Sequence, residues 1–241
     1  ALDRQRAWAN FPLLSANIRR DDGSPAFEPY RVFERGGWRI AVVGLTTDDT
    51  PRLVMPDHLR GLQVAAPIAT VAALLPGVRA KADIVVALTH MGHYPDGAHG
   101  GNAPGDVELA RAVSGIDLIV GGHSHDTVCM AAENQRVEPY LPGTACAPDR
   151  QNGTWIVQAG NWGRYLGRAD FRVDGGKLEL LRYTLLPVNL KRREADGSRV
   201  PYTEPIAEDA GVRALLEPYQ AIGRQRLGLD VAVADDAFDA A

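Results

Sequence analysis

Two short apolar runs that each end in histidine organise this sequence. They are Asp83-Ile-Val-Val-Ala-Leu-Thr-His90 and Asp117-Leu-Ile-Val-Gly-Gly-His-Ser-His125. Both are rich in β-branched residues and nearly continuous, which is typical of strands in a sheet that is covered on both faces. Similar runs lie at Phe11 to Ile18 and at Trp38 to Leu45. Together these runs predict strands of a buried sheet.

The stretches between and after these strands predict the fold class. Helical patterns at Ala65 to Ala80 and at Asp106 to Val113 lie between strands, as crossover helices do in α/β proteins. After residue 154 the pattern changes to strands joined by a hairpin turn. These later segments are Thr154 to Val157, Leu166 to Val173, the turn at Asp174-Gly-Gly176, and Lys177 to Val188. We therefore expect an α/β fold with a mixed sheet or two packed sheets, in which βαβ units come first and antiparallel strands after.

Composition excludes several classes of protein. The chain has 241 residues, of which 45% are hydrophobic and 23% are charged, so disordered and coiled-coil proteins are excluded. The net charge of −4 gives no electrostatic reason to expect nucleic acid as a partner. The longest apolar runs have the length of strands and are too short to cross a bilayer. We therefore expect neither nucleic acid nor a membrane as partner.

The histidines predict a metal site. Five of the six histidines lie between residues 90 and 125, and His90 and His123 follow two strands of the predicted sheet. Because ligands gather at the carboxyl ends of strands in α/β sheets, these imidazoles are expected to meet in one crevice. If the segment stays extended, His125 points the same way as His123. Imidazole suits Zn, Mn, Co or Fe, so His90, His123 and His125 are candidate ligands.

Other interpretations of nearby residues stay open. The three candidate histidines could instead be core or surface side chains that bond to backbone. His93 and His99 lie in a glycine-rich loop and are expected to be exposed or to contact substrate, and His58 is assigned no role. Trp162 lies after a strand, where it could line the site or pack as a core residue.

The predicted site lacks carboxylates at strand ends. A dinuclear centre needs carboxylates to neutralise and bridge its metals. Asp96, Asp106 and Asp126 lie nearby in sequence, but none follows a strand in a way that favours ligation. Asp126 is a candidate for a carboxylate that binds the outer ring nitrogen of a ligating imidazole and so fixes the orientation of the ring. On residues alone the site is therefore half of a metal centre.

Several motifs together resemble a known family. The chain is similar over nearly its whole length to the bacterial periplasmic UDP-sugar hydrolase/5′-nucleotidase family, which belongs to the calcineurin-like metallophosphoesterase superfamily. The Thr-His and Gly-His-Ser-His motifs are specific for the superfamily, and the loop and cysteine segments point to the family. The segments that carry the resemblance are Phe11-Pro-Leu-Leu-Ser-Ala-Asn-Ile18, Gly44-Leu-Thr-Thr-Asp-Asp-Thr50, Thr89-His-Met-Gly-His-Tyr94, Asn102-Ala-Pro-Gly-Asp-Val-Glu108, Gly121-Gly-His-Ser-His125, Val128-Cys-Met-Ala-Ala-Glu-Asn134, Trp155-Ile-Val-Gln-Ala159 and Gly167-Arg-Ala-Asp-Phe171.

The resemblance implies a fold and a set of metal ligands. The fold is part of an α/β/β/α sandwich, and the cofactor is a pair of divalent metal ions, with Zn, Mn or Co expected. His90 and His123 resemble the ligands of one metal, and His125 resembles a ligand of the other. The family's remaining ligands, its catalytic histidine and the aspartate that supports it have no counterpart in this sequence. The resemblance therefore assigns no catalytic residue to this chain.

The resemblance also implies how the chain is divided. Residues 1–205 correspond to the C-terminal part of the catalytic domain, and residues 206–228 to a linking helix. Residues 229–241 correspond to the start of the C-terminal substrate-binding domain. We therefore expect the chain to be a portion of a longer, monomeric protein and to be inactive by itself.

The two cysteines have two interpretations. Cys129 and Cys146 could be buried free thiols, as is usual in the cytosol, or they could form a disulfide. The pairing Cys129–Cys146 is part of the resemblance. A disulfide and the family both imply a periplasmic location.

Two functional hypotheses follow. The first is a metal-dependent hydrolase of nucleotide phosphoesters, of the 5′-nucleotidase and UDP-sugar diphosphatase type, with small-molecule nucleotides or UDP-sugars as substrates. The second is a non-catalytic metal- or carbohydrate-binding fragment, or a degenerate homologue. An upstream Asp-x-His and Gly-Asn-His-Glu would favour the enzyme.

Overall fold

A computed structural model describes residues 2–96, 98–99 and 103–228. The chain divides into two compact units, Ala1–Thr203 and Glu204–Ala241. Two expected features lie outside the described residues, namely the domain start at 229–241 and Asn102 of the loop motif. The side chain of His99 also lies outside them.

The helices and strands alternate through the first half of the chain, and strands dominate after it. The helices are α1 Leu2–Trp8, α2 Thr50–Leu53, α3 Pro67–Arg79, α4 Asp106–Ala112 and α5 Ala210–Leu227, with a 3₁₀ turn at Pro56–Leu59. The strands are β1 Ile18–Arg20, β2 Tyr30–Arg35, β3 Trp38–Thr46, β4 Leu62–Val64, β5 Ile84–His90, β6 Ala98–His99, β7 Ala103–Pro104, β8 Leu118–Val120, β9 Met130–Ala132, β10 Gln135–Arg136, β11 Asp149–Gln151, β12 Thr154–Val157, β13 Tyr165–Asp174, β14 Lys177–Pro187, β15 Lys191–Arg193 and β16 Arg199–Pro201.

The central sheet is mixed and has six strands in the order β11-β12-β8-β5-β3-β2. The inner strands β12, β8, β5 and β3 run parallel, while β2 and β11 pair antiparallel at the two edges. In this register Thr46 lies opposite His90, and Leu88 lies opposite Val120. The carboxyl ends of the parallel strands therefore meet at one edge of the sheet. The prediction of an α/β fold with a mixed sheet is confirmed.

One face of this sheet forms the core. Alternate residues of its strands are buried against apolar residues of α3 and α4, as the period of two in a strand requires. On the sheet these residues are Ala41, Val43, Leu45, Val85, Ala87, Ile119 and Ile156, and on the helices Val71, Leu75, Val78, Val107, Leu109 and Ala110. This packing fixes the two crossover helices and, with them, the loops that begin at the strand ends.

The other face of the sheet is only partly covered by the described residues. Val42, Val86, Val120 and Val157 keep intermediate exposure there, and Leu88 is 50% exposed in the middle of the sheet. The predicted coverage of both faces is therefore wrong for the described residues. Continuous apolar runs show that a strand can be buried on both sides, but they do not show which segment covers it.

The predicted first strand, Phe11 to Ile18, is also wrong. Leu14 makes a single isolated bridge to Glu28, and a regular strand begins only at Ile18. The buried Asn17 side chain explains the difference, because it takes over backbone pairing. Its amide donates to the carbonyl oxygens of Thr46 and Ala65, and its side-chain oxygen accepts from Thr46 N. Short polar side chains that bond to backbone compete in this way with sheet formation.

A second apolar cluster forms beside the long hairpin of β13 and β14. Tyr183 and Leu185 pack there against Cys129, and Tyr183 Oη donates to the carbonyl of Val128 at 3.0 Å. Cys129 and Cys146 are joined in the predicted disulfide, with their Cα atoms 5.0 Å apart. In the loop-closure model a bond across 17 residues stabilises the fold by about 3 kcal/mol. The disulfide thus joins the segment before β9 to the segment before β11, and both cysteines lie in the apolar cluster beside the hairpin.

The second unit contains helix α5. Asp209 caps its N-terminus by accepting a hydrogen bond from Val212 N at 2.8 Å, so the helix begins later than the predicted residue 206. No residue of α5 is buried. Throughout the described parts of the chain, none of the helices is both long enough and apolar enough to span a membrane.

Gly44 is predicted to be required for folding. A Cβ atom at this position would lie 2.2 Å from the carbonyl oxygen of Leu14, and Gly44 O also accepts from Ala16 N. Because the clash is with backbone, Gly44→Ala is expected to lower the free energy of unfolding by about 2–3 kcal/mol. Urea unfolding followed by circular dichroism would measure the change. Gly77→Ala is the control, since no atom lies within 4 Å of its Cβ position and alanine favours the helix. Equal stability of the two variants would contradict the argument.

Candidate metal centre at the strand ends

His90 and His123 meet at the carboxyl edge of the sheet. His90 is the last residue of β5, and His123 follows β8 after Gly121 and Gly122. The ring centroids of the two imidazoles lie 5.0 Å apart in an edge-to-face arrangement. The backbone at Gly122 lies beside this pair, with its Cβ position 3.4 Å from His90 Nδ1, an ordinary contact distance. The sequence argument placed these two histidines correctly at neighbouring strand ends.

His125 does not follow the expected geometry. The prediction assumed an extended segment, but His123 and His125 have φ angles of 89° and 63°, in the left-handed region. Alternation along a strand therefore does not apply here, and the ring of His125 lies 6.1 Å from that of Trp162. Within the described ranges no three His, Cys, Asp or Glu side chains form a group that could hold a metal ion. The set His90, His123 and His125 therefore stays a prediction.

His93 is buried and hydrogen-bonded to a carboxylate, although its sequence position predicts exposure or a substrate contact. Its side chain is fully buried, and Nε2 donates to Asp149 Oδ2 at 2.8 Å. Burial acts to raise the pKa of Asp149, but the hydrogen bonds from His93 and Gln151 outweigh it and lower the pKa below its ordinary value. The loop position of His93 suggested exposure, and nothing local in the sequence indicates the distant Asp149.

The loop that carries His93 also holds the His-Ser-His turn. His93 N donates to Ser124 Oγ at 3.1 Å, and the carbonyl of His93 accepts from Arg136 Nη1. The same Arg136 pairs with the Asp126 carboxylate at 2.7 Å. The Asp126 carboxylate thus contacts a guanidinium, and its expected role in orienting an imidazole stays a prediction. Gln158 Nε2 donates to Ser124 Oγ and to the carbonyl of Asp126, which fixes the turn from its other side.

Asp106 is a fully buried carboxyl group that packs against the ends of β5 and β8. Its Oδ1 accepts from Thr89 Oγ1 at 2.7 Å, next to His90 in sequence, and its Oδ2 has no hydrogen-bond partner among the described residues. A Cβ at Gly121 would lie 2.2 Å from that Oδ2. Burial raises the pKa of Asp106 to about 7, against a smaller lowering by the Thr89 hydroxyl. In sequence this residue is an ordinary acid at a helix N-terminus, so its burial could not be predicted.

Some buried polar atoms in this part of the chain have no hydrogen-bond partner among the described residues. They are Asp48 Oδ1 and His93 Nδ1, in the segments after β3 and β5, and Asp106 Oδ2, at the start of α4. Burial raises the pKa of Tyr94 in the same region, and the carboxylates of Asp126, Asp106 and Asp49 raise it further. The two clustered imidazoles offer nitrogen donors of the kind that a divalent metal ion accepts. The described residues therefore fit such an ion in part, with two nitrogen donors.

The pH dependence of stability tests the buried state of Asp106. Because the pKa is raised in the folded state, the folded chain holds a proton that the unfolded chain releases between about pH 4 and 7. Stability is therefore expected to fall as pH rises through this window, by up to about 1.4 kcal/mol per pH unit from this group. Asp106→Asn keeps an acceptor for Thr89 and should remove that part of the slope, as measured by urea unfolding in chelator. Exposed Asp57→Asn is the control, and parallel curves for wild type and Asp106→Asn would refute the prediction.

Known proteins resemble this chain over most of its length. It is 49% identical over 239 residues to the protein UshA of Yersinia enterocolitica, and 44% identical over 239 residues to a 5′-nucleotidase of Vibrio cholerae. These alignments cover 95% and 96% of this chain, but 44% and 43% of the relatives, so the chain spans less than half of their length. The crystal structure of the calcineurin-like phosphoesterase YfkN from Bacillus subtilis superimposes on this chain with a TM-score of 0.67 at 21% sequence identity. The superposition covers 94% of this chain and 66% of YfkN, and it shows that the two share a fold. No family model matches the sequence.

Proposed function

We propose that this chain, which belongs to the family of the UshA and 5′-nucleotidase proteins, supplies part of the active site of a metal-dependent hydrolase of nucleotide phosphoesters. The observation that carries the proposal is the meeting of His90 and His123, with ring centroids 5.0 Å apart, at the ends of adjacent parallel strands. The substrates we propose are small-molecule nucleotides and UDP-sugars. The reaction type is that of 5′-nucleotidases and UDP-sugar diphosphatases.

We further propose how the chain is divided into domains. Residues 1–205 would be the C-terminal part of a catalytic domain, 206–228 a linking helix, and 229–241 the start of a substrate-binding domain. The half-exposed apolar face of the sheet supports this, because Leu88 and its neighbours would be covered by the rest of that domain. The pair of imidazoles supports it too, since a catalytic metal site needs more donors than two.

In the proposed mechanism the residues of this chain bind and orient rather than transfer protons. Two divalent ions, of the Zn, Mn or Co type, would supply Lewis acidity toward water and toward the phosphate oxygens. His90 and His123 would ligate one ion and His125 the other, each through a neutral ring nitrogen. The Thr89–Asp106 hydrogen bond would hold the end of β5 in place beneath the ions. Asp126 would orient an imidazole from behind.

The disulfide supports a location outside the cytosol. Disulfides persist in oxidising compartments and are rare in cytosolic proteins. Because Cys129 and Cys146 are paired, we propose that the protein works in the periplasm. That it is a monomer is a separate proposal, which rests on the resemblance alone.

Removing either clustered imidazole tests the proposed site. In the natural protein that contains this chain, His90→Ala and His123→Ala are expected to lower metal-dependent hydrolysis of AMP and UDP-glucose at least about 100-fold. They should also weaken binding of Mn²⁺ or Zn²⁺, measured by isothermal titration calorimetry. His58→Ala is the matched control, because this histidine lies exposed in the 3₁₀ turn.

The same experiment separates the two functional hypotheses. Near wild-type turnover of His90→Ala and His123→Ala in metal-supplemented buffer would contradict the hydrolase. Metal binding that depends on these histidines, without hydrolysis by the wild-type protein, would favour a non-catalytic metal-binding protein. The absence of a three-donor group among the described residues is the observation that keeps this second function open.

The chain by itself is expected to be inactive. With two clustered imidazoles, the described residues fall short of the donors that a dinuclear centre requires. The purified 241-residue chain should therefore release no measurable phosphate from AMP or UDP-glucose with added Zn²⁺ or Mn²⁺. Turnover that is abolished by a chelator and restored by metal would refute this expectation.

A further inference from the structure

Strained backbone is concentrated at one place in the described chain. Six described residues other than glycine have positive φ angles. Three are asparagines, which adopt this conformation readily, at positions 134, 152 and 189. The other three are His123, His125 and Trp162, with φ angles of 89°, 63° and 57°. For such residues a positive φ is unfavourable by about 1–3 kcal/mol and typically marks a functional site.

These three residues lie together. The ring of Trp162 is 6.1 Å from that of His125 and tilted 55° to it, and His123 lies two residues away beside His90. Trp162 therefore lies at the edge of the proposed metal site, although 37 positions separate it from His125 in sequence.

The backbone holds Trp162 in this position. Two segments, 121–128 and 157–160, are joined by three hydrogen bonds: Gly121 N to Val157 O, Val128 N to Gln158 O, and Gly160 N to Asp126 O, all between 2.8 and 2.9 Å. A further bond from Arg164 N to Asn161 O closes the turn around the tryptophan. The tight turn and this short ladder thus fix the backbone from which the indole extends toward His125.

Burial of the Trp162 indole contributes too little to stability to offset the unfavourable backbone conformation. Trp162 is 86% exposed and takes no part in either apolar cluster of the chain. A large aromatic side chain that extends from strained backbone and is exposed beside a candidate site is typical of a ligand contact.

We propose that Trp162 is the platform on which the substrate's sugar ring rests, meaning the ring joined directly to the hydrolysed phosphate. The inference rests on the proposed function. Imidazole nitrogens lie about 2 Å from a ligated metal, so a phosphate held there places its first attached ring within reach of an indole 6.1 Å from His125. The indole face is apolar and electron-rich, and it packs well against the C–H face of a furanose or pyranose. The residue would thus select phosphoesters of sugars over phosphate alone.

Two matched probes test this contact. They are the methylene phosphonate analogue of ribose 5-phosphate and methylphosphonate, which share the phosphonate group and differ in the sugar. Binding of each to the natural protein that contains this chain, in Mn²⁺, is measured by isothermal titration calorimetry. Trp162→Ala is expected to weaken binding of the sugar phosphonate about five- to tenfold and to change that of methylphosphonate less than twofold. Trp162→Phe should restore most of the affinity.

Trp38→Ala serves as the matched tryptophan control. Trp38 is 36% exposed and begins β3, so it lies at the opposite end of the strand from Thr46, the partner of His90. This variant should bind both probes like wild type. Thermal unfolding of each variant shows whether Trp162 instead serves folding: lower stability with an unchanged ratio of the two affinities would overturn the inference.

The possible failures are distinguishable. If methylphosphonate binds and both probes weaken equally, or neither weakens, the contact is wrong and the proposed function stands. If neither probe binds the metal-loaded wild-type protein and AMP is not hydrolysed, the proposed function fails and the inference fails with it.

Discussion

The parallel register of β3, β5 and β8 is the constraint on which the candidate site depends. It places Thr46 opposite His90 and Leu88 opposite Val120, so the loops after these strands begin within one or two residue steps of each other. Apolar burial on the α3 and α4 side enforces that register, because a slip by one residue would expose the whole core face. The two imidazoles therefore meet as a consequence of core packing, and neither loop has to be folded by a ligand first.

The backbone at the end of β8 also lies very close to the side chain of Asp106. The space that a Cβ of Gly121 would occupy is taken by Asp106 Oδ2, so the end of β8 packs directly on a buried carboxyl group. That carboxyl in turn holds Thr89 at the end of β5. A buried acid with one unpartnered oxygen opposes folding unless it stays protonated or faces a cation. The end of β8 thus combines a destabilising buried acid with a position, Gly121, where only glycine fits. Local features that lower stability in this way are typical of functional sites.

The sequence predicted what depends on local periodicity and missed what depends on distant partners. Apolar runs placed β3, β5, β8 and β12 within two residues, and the resemblance supplied the disulfide. The same reasoning failed for Asn17, whose side chain bonds two distant segments, and for His93, whose partner Asp149 lies 56 residues away. It also assumed extended backbone at His123 and His125, because nothing in the local apolar pattern indicates that these two residues adopt positive φ angles.

Strain and burial together indicate where this fold departs from what stability alone would select. Local conformational preferences and the usual burial of each residue type would favour an extended His-x-His segment, a solvated Asp106 and a packed Trp162. In the structure the histidines have positive φ angles, Asp106 is buried and Trp162 is exposed. All three departures surround the same strand ends, and the disulfide and the Gln158 network hold the backbone there. Natural sequences keep such conflicts mainly at functional sites, since elsewhere they only lower stability. The exceptions to local rules therefore locate the site more narrowly than the histidines alone, because they extend it from His90 and His123 to the indole of Trp162.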